Sequence, residues 1–292
     1  MPRDETPLRR MLAAFFANPT AVVGLALLVV IVVVALAAPL ISAQNPYDLA
    51  QLDVSDGKLP PGAAASGGGT FWLGSDERGR DMLSAILYGL RSSLAVGLSS
   101  TIIALAIGLV LGLIAACGDR AGVLITRIAD IQLSFPAILI AVILLVLFGQ
   151  GLGQIIAALV GVQWAYYARA VCGAARVEKG KEYIEAVRGL ALAPSRIAFR
   201  HLLPNCLPPL LVVATVQLAA AVTLEATLSF LGLGLPVTEP SLGLLIASGY
   251  PYMLSGKYWM IFFPGLALLL TIACINLVAD RLREVVNPRL QR

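Results

Sequence analysis

The sequence predicts an all-α integral membrane protein with six transmembrane helices, and two observations support this fold class. Hydrophobic residues occupy 59% of the 292 positions and charged residues only 13%, about half the charged share of a soluble domain. The apolar residues are also concentrated in runs, and a helix needs about 20 of them to cross hydrocarbon about 30 Å thick. The predicted spans cover residues 20–42, 92–117, 131–149, 152–168, 206–235 and 259–279.

The first predicted span, residues 20–42, has Asn18 and Pro19 as a helix cap and a first-turn proline. Arginines precede this run, so a secretory signal is the alternative interpretation. Because its apolar core exceeds the roughly 7–15 residues of a signal, we expect a retained anchor. Residues 1–19 are then a cytoplasmic N-terminus.

Residues 43–91 are predicted to form an outer loop. Its Gly-rich stretch 60–69 is typical of a flexible segment. An amphipathic stretch then leads into the second span, which predicts an interfacial helix with Ser75 or Asp76 as its N-cap.

The remaining five spans form the predicted membrane core, residues 92–279. The third span follows a short loop with Pro136 in its first turn, and residues 149–151 leave room only for a tight hairpin before the fourth span. An even number of spans places both termini on one side of the membrane.

Positive charge predicts which side that is. If the N-terminus is inside, sixteen of the 21 Lys and Arg residues are cytoplasmic, and four of the other five lie in one long loop. The tail 280–292 and the polar loop 169–205 are then cytoplasmic. The net charge of +4 does not indicate nucleic-acid binding, because the basic residues form no stripe with interleaved aromatics.

A polar island, residues 182–205, stands between two apolar segments, and we call it the knob. At helical spacing Ile184 falls on an apolar face and Glu185 on a charged face. Pro194 breaks the pattern, and a second short helix is expected up to Pro204. A well-ordered polar loop at a membrane surface is suited to binding a soluble partner.

The knob resembles the EAA loop of ABC importer permeases, with Glu185, Ala186 and Pro204 at matching positions. Arg200 and His201 before the Leu-Pro pair resemble the dipeptide, oligopeptide and nickel branch of that family. The sequence departs from the pattern at Val187, where an alanine is usual, and at Ala191, where a glycine normally bends the loop. The strings 71–98, 225–234 and 240–243 resemble the same branch, and the similarity runs from residue 8 to residue 290.

This resemblance implies a type I ABC importer permease with a helix-turn-helix that couples to ATPases. The implied coupling residues are Tyr183, Glu185, Ala186, Gly189, Pro194, Arg200, His201 and Pro204. The implied partners are a second related permease, with a heterodimer expected, two ABC ATPase subunits and an extracytoplasmic solute-binding protein. ATP and magnesium would be bound by the ATPases, since this chain has no Gly-x-x-x-x-Gly-Lys-Ser/Thr sequence. The expected location is the bacterial inner membrane.

Two polar residues interrupt the fifth span and are candidates for the translocation path, Gln217 and Glu225. An ionisable side chain at membrane depth should face a bundle interior or a wet cavity. Glu225 can therefore either touch substrate or serve a structural role, and both interpretations stay open at this point.

The predicted function is ATP-driven import of di- or oligopeptides, with nickel or another small solute as the alternative. An ion-driven carrier would show internal repeats and more buried polar groups. A membrane-embedded enzyme or a metal site is not expected, because His201 is the single histidine and no nucleophile or metal cluster is evident.

Overall fold

The computed structural model describes residues 7–46, 48, 50, 52–118, 120–190, 193–236 and 238–286. The α-helices are α1 (Pro7–Phe16), α2 (Pro19–Leu36), α3 (Ala38–Ile41), α4 (Met82–Cys117), α5 (Arg120–Leu133), α6 (Ala137–Phe148), α7 (Leu152–Lys179), α8 (Glu182–Gly189), α9 (Pro194–Ile197), α10 (Leu203–Phe230), α11 (Leu242–Gly249) and α12 (Trp259–Val286). The shorter elements are 3₁₀ turns at Val54–Asp56 and Tyr250–Ser255, a π-helical turn at Ala198–Leu202, and strands β1 (Ala63–Ala64) and β2 (Thr70–Phe71). The helical membrane fold class is confirmed.

Within the described part of the chain, five helices are long and apolar enough to cross a membrane, namely α2, α4, α7, α12 and α10 together with its preceding π turn. They correspond to five of the six predicted spans. The sixth, predicted as 131–149, is instead a broken pair in which α5 and α6 meet at 98°.

The break has a local cause in the sequence around Pro136. Proline disfavours helical backbone at the residue before it and has no N–H to continue the hydrogen-bond ladder. Helix α5 therefore ends at Leu133, and Pro136 becomes the N-cap residue of α6. With 12 residues, α6 is about 18 Å long, which is shorter than the hydrocarbon layer. The predicted span 131–149 therefore contains a bend near Pro136, and among the described residues the spans number six if α5 and α6 are counted as one.

Helix α4 begins earlier than expected and runs for 36 residues. Residues 82–91, expected as a separate interfacial helix, are its first turns. The N-cap is Asp81, whose Oδ2 accepts a hydrogen bond from the backbone N of Ser84 at 2.8 Å, so neither Ser75 nor Asp76 caps the helix. One continuous rod thus joins the outer loop to the core.

The outer loop is held by several specific contacts. Strands β1 and β2 pair antiparallel, with Ala63 opposite Phe71. Asp76 forms a buried ion pair with Arg80 at 2.6 Å. The indole of Trp259 donates to the carbonyl of Ser75 at 3.2 Å, which ties the loop to the first turn of α12.

Helices α4 and α7 pack closely through Gly108 and Gly112, a Gly-x-x-x-Gly pair. A Cβ at Gly108 would lie 2.8 Å from the carbonyl oxygen of Trp164, and one at Gly112 would lie 2.6 Å from Cβ of Val171. Small residues at this spacing let two membrane helices approach each other, and the contact surface supplies van der Waals energy in the absence of a hydrophobic driving force. The pair forms the centre of the helical core.

Helix α10 is continuous with the knob. The expected second knob helix does not end at Pro204, because α9, the π-helical turn and α10 follow one another without a gap. The wider turn accommodates the missing N–H of the proline. At its other end α10 stops at Phe230, where Gly232 adopts a positive φ of 77° and the N–H of Leu233 bonds the carbonyl of Leu228 at 2.9 Å. This is a Schellman termination.

Candidate functional site

The knob has a small apolar core of its own. Ile184 from α8, Ile197 from α9 and Leu202 from the π turn are buried together, with Val187 packed against them. Glu182 and Glu185 lie in the first turn of α8, where negative charge stabilises a helix. The burial of Ile184 agrees with its place on the predicted apolar face, whereas Leu190, which helical spacing puts on the same face, is exposed. Ala191 lies outside the described residues.

A set of hydrogen bonds fixes the knob to the end of α7. Glu178 is buried, and its carboxylate accepts from the hydroxyl of Tyr183 at 2.5 Å and from Nζ of Lys181 at 2.6 Å. Asn205, in the first turn of α10, donates to the Tyr183 hydroxyl at 3.1 Å. Burial, together with the bond to Glu178, raises the pKa of Tyr183 from 10.0 to about 12, which shows that the folded knob favours the protonated phenol. The hydroxyl of Tyr183 therefore connects the knob to the end of α7 through hydrogen bonds to Glu178 and Asn205.

The remaining predicted coupling residues are arranged around the knob surface. Glu185, Ala186 and Gly189 are exposed on α8, and α9 begins at Pro194. His201 is half-buried, and its carbonyl accepts a hydrogen bond from Asn205 at 2.8 Å. The imidazole of His201 has no hydrogen-bond partner within the described ranges, although a bond within the knob was one of the roles expected for it.

An open groove of about 630 Å³ lies on the part of the knob formed by α9, the π-helical turn and the start of α10. It is lined by Arg196, Phe199, Arg200 and Pro204. Phe199 is 63% exposed, and sequence reasoning missed it. The available signal was an aromatic residue inside an otherwise polar island, between two arginines. An exposed aromatic flanked by guanidinium groups is typical of a protein-binding surface.

A second groove, of about 360 Å³, lies among α6, α7 and α10 in the membrane core. Gln217, predicted as a path residue, lines it. Sequence reasoning missed its other polar contributors, which are Gln163, Tyr166, Thr223 and Thr227. They sit singly in apolar helices, so only the packing of the helices brings them together.

Glu225 does not line this groove. It is fully buried, and its Oε1 accepts from the hydroxyl of Ser229 at 2.8 Å. The side chains of Ser93 on α4 and Ser241, the N-cap residue of α11, lie near the carboxyl, although Oε2 of Glu225 and Oγ of Ser93 make no hydrogen bond among the described residues. Glu225 therefore lies where three elements meet.

Taken together, the apolar helices, the polar groove between them and the exposed polar knob are the features of a multi-pass membrane transport subunit. Residues 108–292 match the family described as binding-protein-dependent transport system inner membrane component. Residues 6–61 match the N-terminal transmembrane domain of oligopeptide transport permease C. The chain belongs to this family of ABC importer permeases.

Relatives of this chain cover nearly its whole length. The di/tripeptide transport system permease protein DppC of Pseudomonas aeruginosa is 37% identical over 98% of this chain and 93% of that protein. The dipeptide permease DppC of Escherichia coli is 36% identical over 100% and 96%, and the oligopeptide permease OppC of Bacillus subtilis is 33% identical over 95% and 88%. A chain of the MetNI methionine ABC transporter, solved in inward-facing conformations, matches with a TM-score of 0.58 at 25% identity, covering 70% of this chain and 97% of that chain.

Membership of the family establishes several of the predictions. The chain is a transporter subunit of a bacterial inner membrane without catalytic activity of its own, and ABC importer permeases work with ATPase and binding-protein partners.

Proposed function

We propose that this permease carries di- or oligopeptides. The relatives described above are named as di/tripeptide, dipeptide and oligopeptide permeases, and their alignments cover 95–100% of this chain. These names support peptides over nickel or another small solute as the cargo.

The chain forms half of the translocation path, and a second, related permease forms the other half. The support is an unpartnered apolar row on α6, where Leu139, Ile143 and Leu147 are exposed beside the groove that Gln217 lines. Because the family resemblance is to the peptide branch, the expected partner is a different chain and the pair a heterodimer.

Coupling to ATP takes place through the knob. Two ABC ATPase subunits hold ATP and magnesium and dock on the exposed surface of the knob. On α8 this surface includes Glu185, Ala186 and Gly189. It continues to Arg200 and Pro204, which follow α9 in the sequence. The observation that carries the proposal is continuity: the π-helical turn of the knob runs directly into α10, and α10 lines the membrane groove. A push on the knob therefore moves the groove wall, which alternates access to the path.

The knob and both termini lie in the cytoplasm in this proposal. The excess of Lys and Arg on that side of the predicted topology supports this orientation. It also places the Asp76 loop outside, where an extracytoplasmic solute-binding protein delivers its cargo.

Within the path, Gln217 is the polar residue expected to contact cargo. Of the two interpretations of Glu225, its complete burial among serine hydroxyls favours the structural one, in which the carboxyl joins α4, α10 and α11.

Uptake measurements test the proposed cargo. Cells that lack the chromosomal gene and other peptide permeases would be complemented with this chain and its operon partners, then given radiolabelled dialanine, trialanine or nickel. Saturable, ATP-dependent peptide uptake with no nickel uptake is the expected result. Nickel uptake without peptide uptake would overturn the assignment.

A further inference from the structure

A cavity of about 470 Å³ between α5 and α7 is lined by three arginines, and the proposed coupling mechanism does not use it. Its polar and charged lining residues are Thr126, Arg127, Asp130, Arg169, Cys172 and Arg176. One carboxylate faces three guanidinium groups, so the cavity carries excess positive charge. Its volume is within the range of small-molecule sites.

Only part of this charge is neutralised internally. Arg169 forms an ion pair with Asp130. Arg127 and Arg176 are exposed, and in the ranges that the structure describes neither has a hydrogen bond or a counter-ion. Two free guanidinium groups beside a cavity suit an anion with several oxygens, because each guanidinium can donate two parallel hydrogen bonds to a phosphate.

The geometry of α5 places this cavity at the surface of the bilayer. Helix α6 is apolar throughout, and α5 meets it at 98°, so α5 lies along the membrane surface if α6 enters the lipid. Leu124, Ile128 and Ile131 form an exposed apolar row on α5. A helix with an apolar row on one face and arginine on another is typical of an element that lies at the lipid headgroups.

We propose that the α5–α7 cavity binds the phosphate headgroup of an anionic phospholipid, with the acyl chains along the apolar row of α5. Basic pockets between membrane helices commonly hold such headgroups. The site lies apart from the groove that Gln217 lines and from the knob. The proposal does not depend on the cargo.

The complete transporter, purified in detergent, provides the test. Phosphatidylglycerol, phosphatidylcholine and inorganic phosphate would each be titrated while the Tm of the complex is measured. Near-saturating phosphatidylglycerol should raise Tm by about 5 °C, and the other two should leave it unchanged. An equal shift with phosphatidylcholine would overturn the anionic specificity. An equal shift with inorganic phosphate would identify a free-anion site and overturn the lipid assignment.

Two test variants and one matched control locate the effect. Arg127→Gln with Arg176→Gln should abolish the shift, whereas the matched double variant Arg120→Gln with Arg283→Gln, which removes the same charge outside the cavity, should retain it. Gly173→Leu fills the cavity without changing charge, since a Cβ at Gly173 meets no atom within 4 Å. It should also abolish the shift. Two results would overturn the proposal. One is that Gly173→Leu retains the full Tm shift. The other is that the Arg127/Arg176 variant loses the second permease during purification, because this face would then be a subunit interface.

Discussion

The hydrogen bond between Tyr183 and Glu178 gives the sharpest prediction about the knob. Tyr183→Phe removes the hydroxyl that donates to Glu178 and accepts from Asn205, while the apolar core around Ile184 is retained. A hydrogen bond to a charged group contributes about 1.5–3 kcal/mol when well shielded. Because Tyr183 is 39% exposed and water competes for the carboxylate, we expect a loss of about 1 kcal/mol.

That loss corresponds to a roughly fivefold increase in opening of the knob, since 1.4 kcal/mol is a factor of about ten. Amide hydrogen exchange of residues 183–190 in the purified transporter measures it directly, and more ATP should be hydrolysed per peptide transported. Tyr258→Phe is the matched control, because Tyr258 is an exposed tyrosine immediately before α12, away from the knob. Unchanged exchange in the knob of Tyr183→Phe would refute the reasoning.

The same bond predicts a pH dependence. The pKa of Tyr183 is raised from 10.0 to about 12, which means that the folded knob favours the protonated phenol. The stabilisation should therefore be fully present below pH 10 and be lost as pH rises from 10 towards 12. After correction for intrinsic exchange rates, protection of residues 183–190 should be flat from about pH 6 to 9. A decline within that range would contradict the assignment.

Three further predictions concern the other described features. Glu185→Lys reverses charge on the exposed α8 surface and should abolish uptake at normal membrane abundance; normal uptake would remove Glu185 from the docking surface. Glu225→Gln can keep the hydrogen bond that the buried carboxyl accepts, so this variant should retain uptake across pH. Glu225→Leu cannot keep that bond and should lose uptake. Loss of uptake in both variants would indicate that the charge is required. Gly108→Leu inserts a side chain against the backbone of Trp164 and should destabilise the fold by about 1–3 kcal/mol or more, seen as a lower Tm; an unchanged Tm would show that α4 and α7 are not closely packed there.

Features that depend on local pattern could be predicted from the sequence. Apolar runs of sufficient length identified α2, α4, α7, α10 and α12, because the bilayer imposes a minimum length on a spanning helix. Helical spacing also predicted the burial of Ile184 in the knob, and this side chain is completely buried.

Features that depend on tertiary contact could not be predicted from the sequence. The hydroxyls around Glu225 come from α4, α10 and the start of α11, so no sequence window contains them. The sharp angle at Pro136 also escaped prediction, since a proline at a first turn is compatible with either a straight entry or a bend. Likewise, the glycine content of stretch 60–69 did not reveal that Ala63 pairs with Phe71 or that Ser66 donates hydrogen bonds to the Asp56 carboxylate.

Cross-linking from the knob tests the central claim most directly. Ala186→Cys places a thiol on the exposed surface of α8, and Leu254→Cys, 94% exposed and on the opposite side of the predicted topology, is the control. A bifunctional maleimide applied to the intact transporter should join Ala186→Cys to an ATPase subunit and leave Leu254→Cys unjoined to it. An absence of ATPase cross-links from Ala186→Cys, with labelling of that thiol by a membrane-impermeant reagent in intact cells, would contradict the account.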